Sequence, residues 1–166
     1  YRAIDFPVKW TLEKILMDDV NAVDATLFEQ DGRFWLFTCS AENGCSLNEN
    51  LYLFHSDSPL GPWQPHPCNP VVSDIRRARP AGKLFYEAGN LIRPGQNCFT
   101  RYGHSIRLNR IEQLDEYGYR EVPTGSIKPS LLHGNLCVHT LNFNEDYEVL
   151  DFKTFTVKSM DKKLLP

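Results

Sequence analysis

The sequence predicts an all-β fold, and three observations carry that reading. Turn signals recur at close intervals: QDGR at 30–33, ENG at 42–44, PLGPW at 59–63, EAGN at 87–90, EYG at 116–118, LHGN at 132–135 and FNED at 143–146. Short runs rich in aromatic and β-branched residues lie between them, as strands require. The helix candidates, TLEKIL at 11–16 and RIEQLDEYG at 110–118, are short and weak.

Taken in order, ATLFEQDGRFWLFTC reads as a strand, an Asp-Gly turn and a second strand. NLYLFHS at 50–56 reads as the next strand. SDSPLGPWQPHPCNPV, from 56, follows it with five prolines, which cannot donate to a ladder and therefore suit an outer edge and a crossing. Trp63 is expected to pack beneath that crossing as an apolar anchor. GKLFYEAGNLIRPG repeats the strand–turn–strand scheme, HSIRLNRIEQL alternates as a strand, and LCVHTLNFNEDYEVLDFKTFTV is a further hairpin. The hairpins begin at 24, 79 and 131. A repeat of about 50 residues with about four strands each is the mark of a β-propeller blade. The expected organisation is one domain of blade-like units at about 20–72, 73–128 and 129–160. A five-bladed propeller needs roughly 250 residues or more at this period, so three blades of a longer protein, or an edge covered by a second copy, are expected.

At 166 residues the chain is long enough to bury a core. Its net charge of −3, with 23% charged and 42% hydrophobic residues, is that of an ordinary globular protein rather than a disordered one. The acidic balance argues against a nucleic-acid partner, RRAR at 76–79 being the one basic cluster. No apolar run is long enough for a membrane helix, and no signal peptide is legible. The odd set Cys39, Cys45, Cys68, Cys98 and Cys137 contains no CxxC pair and implies no zinc site. Reduced, mostly buried thiols and a cytoplasmic setting are favoured, with a Cys39–Cys45 loop disulfide left open.

The quoted segments, together with ARPAGKLF, LIRPGQNC, RYGHSIRLNRIEQL and LHGNLCVHTLNF in that order and spacing, resemble a known group. SDSPLGPW followed by NPV resembles the blade ending of five-bladed propellers of the glycoside hydrolase family 43 and 117 type. The whole set resembles the propeller domain in the N-terminal part of plant glucosamine inositolphosphorylceramide transferases, and in bacterial proteins with sugar formyltransferase-like or glycosyltransferase-like segments. The likeness runs from about Phe6 to about Phe152. It implies a funnel at which inner strands converge and polar residues bind a sugar. In family 43 hydrolases three carboxylates do the work there, and inversion needs two carboxyls with room for water between them.

Asp24, in VDATLF, matches the blade-start acid and is a candidate acceptor or base; a strand-entry turn is its structural alternative. Asp74, in SDIRRARPAG, is a substrate-binding candidate or a partner for Arg76 or Arg77. Arg79, in ARPAG, resembles the Arg of ARNGG in the plant relatives, and its donor fork suits a carboxylate, phosphate or sugar hydroxyls. Gln96, Asn97 and Tyr102 offer amide and phenol groups. The resembling proteins tend to carry Asp where Asn97 stands, which removes a carboxylate. His139, in CVHTLNF, can shuttle a proton or bind a hydroxyl. Glu87, Glu145 and Glu148 fall in or beside turns, so no acid triad emerges. Ser56, Ser73 and Ser105 lack a His-Asp constellation, and the glycines form no phosphate cradle. Neither a cofactor nor a metal is expected.

The reading is a carbohydrate- or sugar-phosphate-binding propeller module of a glycan-modifying enzyme, with a carbohydrate or nucleotide sugar as ligand. The alternatives are an active glycoside hydrolase or transferase with Asp24 as general base, and a structural or oligomerisation module without ligand. A second carboxylate facing Asp24 would favour the first of these; an apolar plug in the funnel would mark the second.

Overall fold

The computed structural model describes residues 1–42, 44–130 and 134–154. Asn43 of the ENG turn, the start of the third expected hairpin at 131–133 and the chain beyond 154 lie outside them. The described residues form antiparallel sheets and no helix. Ala22–Gln30 (β3) and Arg33–Ser40 (β4) form a hairpin, as do Phe85–Glu87 (β8) and Asn90–Asn97 (β9). Their turns, Asp31-Gly32 and Ala88-Gly89, take φ of 53°, 77°, 47° and 78°, the left-handed values that two-residue hairpins demand.

β4 continues to Asn50–Ser56 (β5). Gln64–Pro65 (β6) and Val72–Ser73 (β7) both pair with β5. The first sheet thus has the order β3-β4-β5-β6 with β7 beside β5, and the proline-rich stretch lies along its edge. The second sheet adds Ser105–Leu114 (β10) and Tyr119–Ile127 (β11) in the order β11-β10-β9-β8. The third holds Asn135–Phe143 (β12) and Glu148–Thr154 (β13), two described strands where four were expected. Arg2–Asp5 (β1) and Lys9–Thr11 (β2) form a separate hairpin that exposes Phe6, Val8 and Trp10.

Both helix candidates are overturned. Residues 110–114 finish β10 and 115–118 form the turn to β11. Ladder bonds from β9 and β11 on either side satisfy the 110–114 backbone better than one isolated helical turn could. Residues 12–16 follow β2 without regular structure.

Two cores join successive sheets. Trp35, Phe37, Cys39, Leu51, Leu53 and Val72 of the first sheet pack with Leu91, Ile111, Leu114 and Tyr119 of the second. Ile106, Leu108, Ile127 and Phe85 of the second pack with Val138, Leu141 and Leu150 of the third. Each fully buried Leu or Phe contributes roughly 1.5–3 kcal/mol through apolar area removed from water. Trp63 belongs to neither core and is only half-buried. Its indole N–H is enclosed without a partner. The large buried side chain of that stretch is His66: its Nδ1 accepts from the Cys68 amide at 3.1 Å, so its Nε2–H donates to the Asp115 carbonyl at 2.9 Å. This ties the first sheet to the β10–β11 turn.

The linker from 74 to 83 runs between the sheets and is stitched to β9. Gln96 N donates to Arg79 O at 2.7 Å, Ala81 N to Pro94 O at 3.1 Å and Cys98 N to Ile75 O at 3.0 Å. Gly95 allows this approach, since a Cβ there would overlap the Arg77 carbonyl. Beneath it lies a buried ion pair. Arg93 of β9 and Glu121 of β11 meet fork to fork, with 2.7 Å for Nε–Oε2 and 2.7 Å for Nη2–Oε1, and their side chains are 1% and 2% exposed. Tyr119 Oη donates to Glu121 Oε2 at 2.5 Å. The spare guanidinium protons donate to the linker carbonyls of Arg77 at 2.9 Å and Ala78 at 3.4 Å.

All five cysteines are free thiols, so the Cys39–Cys45 disulfide is not formed. Cys39, Cys98 and Cys137 are buried, and burial pushes the Cys39 thiol up to about 12.

Two outcomes are expected. Glu121→Gln leaves Arg93 charged and buried without its counter-ion, so urea denaturation should show a loss of about 3–5 kcal/mol. An aromatic disulfide reagent should titrate Cys68 fast in the native protein and reach Cys39, Cys98 and Cys137 only on unfolding; fast reaction of Cys39 would contradict the packing.

Candidate functional site

The linker and the strand starts bring a line of polar side chains together where the three sheets meet. It begins at Asp24. β3 is bulged there: Val23 faces Cys39 and Thr26 faces Phe37, so two residues oppose Thr38 alone. Asp24 takes φ of 52° at that bulge. Such a bulge re-aims a side chain, and Asp tolerates the left-handed region better than most residues. Its Oδ2 accepts from Arg79 Nε at 2.6 Å and from Gln96 Nε2 at 2.8 Å. Gln96 is fully buried, and its amide nitrogen also donates to Pro80 O at 2.8 Å, which fixes the flip of the amide. Arg79 Nη1 donates to Asn48 Oδ1 at 3.0 Å. Burial opposes the charge on Arg79, but the bond and the negative charge of Asp24 outweigh it and hold the guanidinium firmly protonated.

The line continues through rings. The Arg79 guanidinium lies 4.8 Å from the centroid of Tyr102, over its face. Tyr102 meets the His139 ring edge-on at 5.3 Å. Burial raises the phenol above its ordinary value although half of Tyr102 is exposed. His139 Nδ1 bonds Asp151 Oδ2, and Asp151 Oδ1 accepts from the backbone N–H of Thr140 at 2.8 Å and of His139 at 3.3 Å. Burial works against the Asp151 charge, but the Thr140 bonds and the charge that His139 carries when protonated prevail, so its carboxyl sits below the ordinary range. Gly103 seals the back of the imidazole: Val138 N donates to Gly103 O at 3.1 Å, and a Cβ on Gly103 would come within 2.6 Å of His139 Cβ.

Two open clefts flank the line. One, of about 380 Å³, is lined by Arg101, Tyr102, His139, Asp151, Phe152 and Lys153. The other, of about 360 Å³, runs from Asp24 along Pro80 and Lys83 to Thr140 and Asn142. Such walls offer cations, amides and aromatic faces, the groups that hold hydroxyl-rich or anionic ligands. Among the described residues no cluster of His, Cys, Asp and Glu forms a metal site.

Asp24, Arg79, Gln96, Tyr102 and His139 therefore form one contiguous set. Asp74 and Asn97 stand apart from it, Asp74 at the head of the turn after β7 and Asn97 as the last residue of β9. Asp74 Oδ1 accepts from the Arg76 amide at 3.0 Å and Oδ2 from Arg77 Nε at 3.2 Å. Asn97 Oδ1 accepts from the Phe99 amide at 3.1 Å. Each arginine of RRAR has a partner inside the chain: Arg76 over the Phe99 ring at 4.6 Å, Arg77 with Asp74 and Glu121, and Arg79 with Asp24. Sequence reasoning missed Asn48 and Asp151. The signal for Asp151 was the hairpin itself, because pairing outward from the FNED turn brings it opposite His139 and Thr140.

Fold and site together define an all-β domain of serially packed antiparallel sheets, with a solvent-open polar line at their junction. Comparison with known proteins makes this specific. The family described as "Glucosamine inositolphosphorylceramide transferase 1, N-terminal" matches residues 1–134, and the chain belongs to that family. It is 43% identical over 126 residues to glucosamine inositolphosphorylceramide transferase 1 of Oryza sativa subsp. japonica, covering 74% of this chain and 17% of that protein. It is 40% identical over 125 residues to the protein of that name from Arabidopsis thaliana, covering 74% of this chain and 16% of the other. The chain thus spans about a sixth of the length of these relatives. No solved structure matches it. No described helix is long and apolar enough to cross a membrane.

The depressed Asp151 carboxyl gives a signed expectation. Its contribution to stability is fully present above the ordinary carboxyl range of about 4 and is lost as pH falls through its own lower value. Asp151→Asn should therefore flatten the acid side of the stability–pH curve measured by urea denaturation below about pH 4. Parallel curves for the two proteins would contradict it.

Proposed function

We propose that this domain is the carbohydrate- or sugar-phosphate-binding module of a larger glycosyltransferase. The observation that carries the reading is the unbroken line Gln96–Asp24–Arg79–Tyr102–His139, drawn from three sheets and open to solvent along two clefts. Arg79 is held on one side by Asp24 and Asn48 and presented over Tyr102, a pairing of cation and aromatic face that suits a sugar ring bearing hydroxyls or phosphate. The name of the relatives, glucosamine inositolphosphorylceramide transferase 1, supports an amino sugar or a phosphoinositol group as ligand.

The sheets pack in chain order, first on second and second on third, which suits three blades of a five-bladed propeller with the polar line facing its funnel. The remaining blades, and the cover for the third sheet with its two described strands and for the exposed β1–β2 hairpin, come from the rest of a longer chain or from a second copy. Asp24 serves as an anchor rather than a general base, since its Oδ2 is engaged by both Arg79 and Gln96.

Titration of the domain with glucosamine, UDP-N-acetylglucosamine and myo-inositol 1-phosphate, followed by NMR, tests this. At least one probe should bind at roughly millimolar concentration or below. Arg79→Ala should weaken that binding roughly 10- to 100-fold, the worth of a charged hydrogen bond. Binding by none of the three, or binding indifferent to Arg79, would overturn the reading.

A further inference from the structure

We propose that His139 and Asp151 form an acceptor dyad: Asp151 fixes the imidazole as the Nδ1–H tautomer, so that Nε2 accepts a hydrogen bond from a ligand hydroxyl in the cleft beside Tyr102. This deepens the module reading and rests on it. It gives the cleft a defined chemical preference, a polyol hydroxyl that donates. Both residues lie beyond residue 134, outside the stretch that the family matches.

The geometry fixes each proton. Asp151 Oδ1 faces two backbone N–H groups, those of His139 and Thr140, so that oxygen accepts twice. Its Oδ2 is left for His139 Nδ1. A carboxylate only accepts, so Nδ1 carries the proton, and in the neutral ring Nε2 does not. Nε2 has no partner among the described residues, while the ring lines the cleft. The base of the side chain packs close against Gly103, and Tyr102 lies edge-on against the ring. Arg101 and Lys153 on the same cleft wall are donors only and cannot take a hydroxyl proton. In its Nδ1–H tautomer His139 thus gives the wall a ring nitrogen that can accept. Asp151 acts through it and is a positioning residue.

Asp151→Asn separates this role from a structural one. Asparagine keeps the shape, and its single carbonyl oxygen is claimed by the two backbone N–H groups. Its NH2 then faces Nδ1 and donates to it, which forces the proton onto Nε2. The fold is kept and the tautomer is reversed.

The experiment is long-range 1H–15N correlation of the imidazole nitrogens at about pH 8, above the ordinary histidine range. It is run on the wild type and on Asp151→Asn, without ligand and with myo-inositol added. The ligand-free wild type should show a pyrrole-type Nδ1 and a pyridine-type Nε2, and Asp151→Asn should exchange them. Myo-inositol should shift the wild-type Nε2 resonance and bind Asp151→Asn roughly 2- to 10-fold more weakly, one hydrogen bond's worth. A wild-type Nε2–H tautomer, both nitrogens protonated, or no exchange in the variant would each overturn the dyad. Shifts at Gln96 and Arg79 that leave His139 unmoved would overturn the dyad alone. No shift anywhere would remove myo-inositol as a ligand and the dyad's role with it, while glucosamine and myo-inositol 1-phosphate binding would show whether the module reading survives.

Discussion

The buried pair of Arg93 and Glu121 is the constraint on which the rest of this structure depends. A guanidinium 1% exposed is tolerable only if nearly every N–H is used and its charge is matched. Glu121 supplies the charge and two acceptors, and Tyr119 adds a donor to the carboxylate. The remaining guanidinium protons reach the carbonyls of Arg77 and Ala78. The pair therefore joins two strands of the second sheet and also holds the linker that passes over them. Arg79 follows immediately in that linker. Its position at the sheet junction is a consequence of satisfying a charge buried beneath it.

From that anchor the polar line has a physical order. Asp24 is aimed by a bulge, Gln96 by an amide whose orientation is fixed, and Arg79 by Asp24 and Asn48. These groups restrain each other, so a ligand meets side chains already in place and pays less ordering entropy on binding. Tyr102 and His139 extend the line to the third sheet, where Asp151 terminates it. The clefts on either side leave the polar faces wet, and the apolar cores lie behind them, between sheets.

Much of this was legible in the sequence. Asp-Gly and Ala-Gly turns between aromatic runs located the two hairpins because turn chemistry is local. Gln96, Tyr102 and His139 were candidates by their polar groups and Arg79 by family resemblance, and through Asp24 their side chains form one line. The helix reading of 110–118 failed because spacing over one or two turns is a weak signal beside two flanking strands. Trp63 misled because size suggested an anchor, whereas the smaller His66 found two hydrogen-bond partners and went inside. The pair Arg93–Glu121 was invisible: an arginine in LIRPG and a glutamate in YREV are 28 positions apart, and only the bulged registers of β10 bring them onto one face. Asp151 was half legible: pairing outward from the FNED turn places it opposite Thr140, and the bulge between Val138 and Leu141 adds His139.

The most direct measurement is native-state hydrogen exchange on the double variant Arg93→Met, Glu121→Leu. Replacing both ions with apolar side chains of similar volume leaves no unpaired charge, so the sheets should still form. The account predicts that the Gln96 and Ala81 amides, bonded to Arg79 O and Pro94 O, exchange at least about tenfold faster relative to the Val71 amide, which is bonded to Leu51 O of the first sheet. Unchanged protection of Gln96 and Ala81 relative to Val71 would mean that the linker holds its place without the buried pair, and the central claim would be wrong.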